Sequence, residues 1–100
     1  MFGLSDTTIK LLQDYFQTQA DIIEVRVYGS RAMGQEKPGS DIDLAIFSSS
    51  DQDRSGQFKT DLDDLPTPYL LDVIDYNYIN HAGLKQHIDR VGKTLFKRIP

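Results

Sequence analysis

The chain contains no cysteine. That absence excludes disulfide scaffolds, zinc ribbons, iron–sulfur centres and thiol nucleophiles. Basic residues are scarce as well: 11 Lys and Arg stand against 15 Asp and Glu, a formal net charge of −4. A generic nucleic-acid binder needs surplus cations for its phosphate contacts, so no direct nucleic-acid partner is expected. Long apolar runs are missing too. The longest is Leu44 to Phe47, far short of the ~18–20 residues of a membrane helix. Asp6 precedes any Lys and no apolar stretch follows a basic one, so no secretory signal is expected. A chain of 100 residues fits one small domain spanning 1–100, with the cytoplasm as its expected location. Such a domain buries only about 60–65% of its unfolded surface. Any active site is therefore expected on an open face.

What is present is unevenly placed. Residues 1–40 carry five acids and four bases, and residues 76–100 carry one acid and five bases. Residues 41–75 carry nine acids and only two bases, Arg54 and Lys59. Acids concentrated in a small domain repel one another, and divalent cations are one candidate to offset them. The basic segment Lys85 to Arg98 could dock a partner, approach phosphates, or form a solvated helix face.

Hydrophobic period separates helices from strands. Ile9, Leu12 and Phe16 recur on one helical face, and Ser5 or Thr7 can cap a helix reaching about Gln19. Ile22 to Tyr28 reads as a strand with Ile23, Val25 and Val27 on one side, and Glu24 and Arg26 on the other. Gly29-Ser30 ends it, a helical turn fits Ser30–Met33, and Gly34, Pro38 and Gly39 mark an irregular loop. Asp41 to Phe47 is a second strand. A helix from Arg54 to about Leu65 is closed by Pro66 and Pro68. Tyr69 to Tyr76 is a third strand, His81 to Arg90 a helix ended near Gly92, and Thr94 to Ile99 a short last strand. The class is α/β (α+β), a mixed sheet packed by helices.

Three features carry chemistry. Gly29-Ser30 follows a strand directly. A residue without Cβ lets the backbone approach a phosphate, and the N–H groups of the next turn suit an anion. An ordinary strand-ending turn is the plainer meaning of Gly-Ser alone. Asp41-Ile42-Asp43 stands at a strand start, where positions i and i+2 share a face. Two carboxylates so placed repel unless a cation joins them, and hard ions such as Mg²⁺ prefer carboxylate oxygen. Asp72 sits inside the apolar run from Tyr69 to Ile74. If its strand neighbours that of Asp41 and Asp43, it completes a three-carboxylate cluster able to hold two metals. Asp75 lies on the opposite face, as a cap or in solvent. Asp51-Gln52-Asp53 repeats the pattern in a polar turn and reads as solvated. Asp61, Asp63 and Asp64 read as a solvated helix face, and His81 and His87 as surface or capping residues. Gly34 to Ser40 has the glycine spacing of a phosphate loop without its Lys.

Gly-Ser-Arg-Ala-x-Gly at Gly29–Gly34 and Ser-Asp-Ile-Asp-Leu at Ser40–Leu44, which set ten residues between Gly29-Ser30 and Asp41, resemble the nucleotidyltransferase superfamily that includes DNA polymerase β. The likeness runs over nearly the whole chain. It is strongest to the minimal nucleotidyltransferases, the MntA-like antitoxins encoded beside HEPN-domain toxins. Met33 departs from the pattern, since many relatives carry Arg there. The resemblance implies that Gly29 and Ser30, with Ser40, contact the phosphates of ATP. It implies that Asp41, Asp43 and Asp72 hold two Mg²⁺ ions, and that Asp72 can also accept the proton of the attacking hydroxyl. It further implies transfer of AMP from ATP to a tyrosine of a cognate HEPN toxin, whose ribonuclease activity is thereby silenced. Two other functions fit the same residues: an antitoxin acting by occlusion alone, and a small-molecule nucleotidyltransferase of the aminoglycoside-modifying type.

Overall fold

The computed structural model describes residues 1–99. Its elements are α1 (Asp6–Thr18), β1 (Ile22–Tyr28), β2 (Ile42–Ser48), α2 (Ser55–Asp63), β3 (Leu71–Asp75), α3 (Ala82–Val91) and β4 (Lys93–Lys97). Single 3-10 turns follow β1 at Gly29–Arg31 and β3 at Tyr76–Tyr78. The strands form one mixed sheet in the order β3-β2-β1-β4. β1 runs antiparallel to β2 and β4, and β3 runs parallel to β2. A parallel neighbour demands a crossover, which α2 supplies. Among the described residues no helix is long and apolar enough to cross a membrane.

The core lies between one sheet face and helices α1 and α2. Ser5 caps α1 by accepting from the Thr8 amide at 3.2 Å. Ile9, Leu12 and Phe16 then fall on the buried stripe that their spacing requires. Against them pack Val25 and Val27 of β1, Leu44 and Ile46 of β2, Leu71 of β3, and Phe58 and Leu62 of α2. Arg98 closes the far end of α1. Its guanidinium donates to the carbonyls of Phe16 at 3.2 Å and Gln19 at 2.8 Å, where a helix exposes unpaired acceptors and its negative pole. This cation of the basic C-terminal segment serves a helix end.

Three expectations need correction. Ile23 does not join Val25 and Val27: Ile22 is fully buried and Ile23 is 47% exposed. The register slips between Ile22 and Glu24, and a bulge of this kind reverses the alternation preceding it. Asp61 is not simply solvated. It accepts from the Tyr15 hydroxyl at 2.6 Å and so joins α2 to α1. Asp75 does cap, accepting from the Asn77 amide at 3.1 Å, but it is 3% exposed rather than in solvent.

That burial raises the Asp75 carboxyl above its ordinary range, with the Asn77 amide pulling the other way. The folded form therefore binds its proton more readily than the unfolded chain. Stability from this group is present below the unfolded value near 3.8 and is lost as pH rises through the raised folded value. Asp75→Asn should remove that decline, leaving a flatter plot of Tm against pH across the weakly acidic range.

Candidate active site

The opposite sheet face carries α3 and the chemistry. β2 sends Ile42, Leu44 and Ile46 into the core, so Asp43 and Phe47 must face the other way. Register then brings side chains together. Tyr28 pairs with Asp43 across β1 and β2, and Asp43 pairs with Asp72 across β2 and β3. A row of Tyr28, Asp43 and Asp72 crosses three strands on one face. Asp43 is half-buried, and Asp72 is exposed.

Two carboxylates side by side in a sheet are unfavourable without a shared proton or cation. Burial raises the Asp43 carboxyl first, and the charge and hydrogen-bonding reach of Asp72 raise it further. Asp41 adds a smaller repulsion, and His87 of α3 opposes it. The Tyr28 hydroxyl is pushed up to about 12, by burial first and then by the charges of Asp43 and Asp72. His87 meets the Tyr28 ring edge-on, with centroids 6.1 Å apart.

The turn after β1 is shaped around this pair. Gly29 has φ +71°, a left-handed conformation that L side chains adopt only at a cost. A Cβ at Gly29 would also strike Asp43 Oδ2. Gly29 is required on both counts, and its lack of a side chain brings bare backbone beside the carboxylate. Gly29→Ala should displace Asp43 and lower catalytic turnover about a hundredfold, since misplacement by about 1 Å has that effect. Steady-state rates beside an unchanged circular dichroism spectrum would check it.

The loop from Ala32 to Asp41 is held by Arg31. This side chain is 4% exposed. It donates to the Ser40 carbonyl through Nη2 at 2.7 Å and to the Phe2 carbonyl through Nη1 at 2.9 Å. Its guanidinium lies 4.9 Å from the centre of the Tyr69 ring. The buried cation is thus satisfied by carbonyls and an aromatic face, and it fixes the entry to β2. Arg31→Lys should lower unfolding stability by about 1.5–3 kcal/mol. Urea unfolding would read this, with the exposed Lys10→Arg as a control within about 0.5 kcal/mol.

The candidate residues thus take different places. Gly29, Asp43 and Asp72 stand together. Ser30 lies in the turn beside them, and its carbonyl accepts from the Gln35 amide at 2.8 Å. Ser40 organises the loop: its hydroxyl oxygen accepts from the Lys37 amide at 2.8 Å. Asp41 lies one residue before β2 and is exposed. Among the described residues no three acidic or His side chains gather closely enough to hold a metal ion. The Asp43–Asp72 pair does offer adjacent hard oxygen donors under mutual repulsion, which is the chemistry that suits Mg²⁺. Tyr28, Arg31 and His87 were not expected here. Arg31 lies within the Gly-Ser-Arg motif, whereas nothing local marks His87. His81 caps α3, its Nδ1 accepting from the Leu84 amide at 3.1 Å. Asp51 and Asp53 are solvent-exposed.

An open cleft of about 510 Å³ adjoins the pair, lined by Tyr28, Asp43, Asp72, Val73 and Ile74 and by Ser55, Gly56 and Lys59 of α2. An anion-approachable turn beside paired carboxylates on an open face suits phosphoryl chemistry with a bulky acceptor. Known proteins bear on that. The chain superimposes on a toxin–antitoxin structure with AMP-PNP at a TM-score of 0.63 and 23% identity, covering 93% of this chain and 73% of that one. It matches a mutant of the MntA–HpeT toxin–antitoxin pair at 0.61 and 20% identity, covering 95% and 75%. It also matches a tri-AMPylated Shewanella oneidensis HEPN toxin in complex with MNT antitoxin, at 0.55 and 21% identity, covering 93% and 69%. At these identities the likeness establishes the fold. No curated protein matches the chain. The family model described as Polymerase beta, Nucleotidyltransferase matches residues 10–99, and with the Gly29 turn and the Asp43–Asp72 pair inside that span the chain belongs to that nucleotidyltransferase family.

Proposed function

We propose that this chain is an antitoxin that transfers AMP from ATP to a tyrosine hydroxyl of a cognate HEPN-domain toxin and thereby silences it. The observation that carries this reading is the register of β2 and β3, which sets Asp43 and Asp72 side by side against the Gly29 turn. The AMPylated HEPN toxin beside an MNT antitoxin of the same fold supports the choice of donor and partner. The open cleft supports a protein acceptor, because among the described residues none closes over it to enclose a small one.

Each residue has a role in this account. The Gly29-Ser30 turn receives the β- and γ-phosphates through its backbone and the Ser30 hydroxyl. Asp41, Asp43 and Asp72 would hold two Mg²⁺ ions, which when bound neutralise the triphosphate and ease ionisation of the attacking hydroxyl. Asp72, exposed at the mouth, accepts the hydroxyl proton. The acceptor oxygen bonds to the α-phosphorus as the bond to the β-phosphate bridge breaks, and diphosphate leaves in line. Arg31 keeps Ser40 and Asp41 in place behind this chemistry.

Labelled ATP tests the reading. Incubation with the HEPN-domain partner should move label from the α-phosphate onto that protein and leave γ-label in diphosphate. Neutralisation that persists in Asp41→Asn and Asp43→Asn, with no label transferred, would mean that occlusion suffices.

A further inference from the structure

The sheet ends at β3, and its outer edge bears on how an acceptor arrives. The Ile42 amide donates to the Leu70 carbonyl at 2.9 Å. Leu70, Asp72 and Ile74 therefore turn their main-chain groups toward β2, and Leu71, Val73 and Asp75 turn theirs outward. Among the described residues no strand pairs with that side. The cleft is lined by Asp72 and Ile74 from one face, and by Val73, Ser55, Gly56 and Lys59 from the other. A cavity with walls on both faces of an edge strand crosses its free edge. Space is open in front of Gly56, where an added Cβ would meet nothing within 4 Å. On the site face, Leu70 is 67% exposed two residues from Asp72.

We infer that an extended segment of the acceptor protein docks as an added strand on β3, with its main chain on Val73 and its hydroxyl-bearing side chain opposite Asp72. This deepens the proposed function and rests on it. An unpaired edge complements another backbone. In such a pairing the residue facing Asp72 lies on the same face as the carboxylates, and its neighbours two positions away meet Leu70 and Ile74. Charge selects the occupant. Residues 41–75 hold nine acids and two bases, and both bases are engaged, Lys59 with Asp63 and Arg54 with Asp21. A segment carrying Lys or Arg around its hydroxyl residue fits, and a polyanion does not.

Val73→Pro deletes the outward N–H while sparing the β2–β3 ladder, a position where an edge strand tolerates proline. Its KM for the HEPN-domain partner should rise at least about tenfold, with ATP affinity within about twofold of wild type. Gly56→Trp, which fills the cleft from α2, should act alike. Hydrogen exchange gives a readout without activity: the outward Leu71, Val73 and Asp75 amides of the wild-type chain should become protected when the partner is added. Folded variants with unchanged KM, or amides no better protected, would overturn the docking. Should Val73→Pro fail to fold, Gly56→Trp and the exchange result decide. Protection that grows with the concentration of this chain alone would mean self-pairing and would also overturn it. A wild-type chain that labels no partner, yet shows the protection, would defeat the proposed transfer and leave the docking standing.

Discussion

Asp43→Asn should abolish AMP transfer, lowering turnover on the order of a thousandfold, while the protein stays folded. The substituted amide keeps the size and shape of the carboxylate and loses its charge. Asp43 stands between Tyr28 and Asp72 in the sheet row and beside the Gly29 turn. No other carboxylate in the row touches both the turn and the facing strand. The variant should also be no less stable than wild type. Asp43 is held at a raised proton affinity by burial and by Asp72, so its charge opposes folding at neutral pH. Repulsion between partly exposed carboxylates is screened and amounts to about 0.2–1 kcal/mol. A Tm equal to wild type or higher by about 1–5 °C is expected. Lost activity with retained or improved stability separates a functional carboxylate from a structural one. Initial-rate assays and thermal unfolding on the same preparations measure both.

Phe16→Ala should bring the chain close to unfolding at room temperature. Phe16 is fully buried on α1 and meets Phe96 of β4 with ring centroids 5.8 Å apart and tilted at 53°. It is one of the contacts by which α1 holds the edge strand β4, beside the Gln13 side chain that donates to the Leu95 carbonyl at 2.9 Å. Truncating a buried Phe to Ala removes about 3–5 kcal/mol, against about 5–15 kcal/mol for a domain of ~100 residues. Arg98 is drawn in as well, because it lies over the Phe96 ring at 5.5 Å, and that ring loses its packing partner. Urea unfolding should show a midpoint near zero denaturant with an m-value like wild type. A loss of unfolding free energy under about 1 kcal/mol would mean that the core closes over the gap.

Much of this was legible in local sequence, because short-range periods carry it. The i, i+3, i+7 spacing of Ile9, Leu12 and Phe16 placed α1. The i, i+2 spacing of Asp41 and Asp43 at a strand start put both on one face of β2, opposite the buried Ile42. An Asp inside the apolar run of β3 drew attention to Asp72. What local pattern could not supply was pairing. Nothing near Asp72 states that β3 lies parallel to β2 in the register that faces it with Asp43.

The same limit hid His87, whose approach to Tyr28 depends on how α3 settles on the sheet. It hid the Tyr15–Asp61 link, which needs α1 and α2 side by side. Ile23 misled because a bulge is a property of two strands rather than one. Arg98 was grouped with a basic segment open to docking, phosphate contact or solvent, since the carbonyls it satisfies lie at the end of α1, far away in the chain. The α2 side of the cleft shared this fate: Ser55, Gly56 and Lys59 carry no motif and matter only through their place beyond the β3 edge.

Two facing carboxylates, assisted by Asp41, are proposed to bind divalent cations together with a triphosphate. The most direct measurement counts Mn²⁺ bound per chain by electron paramagnetic resonance in the presence of a non-hydrolysable ATP analogue. Two ions are expected for the wild-type chain, with loss of that binding in Asp43→Asn and in Asp72→Asn. Variants that retain the ions at wild-type affinity would contradict that role for the carboxylates.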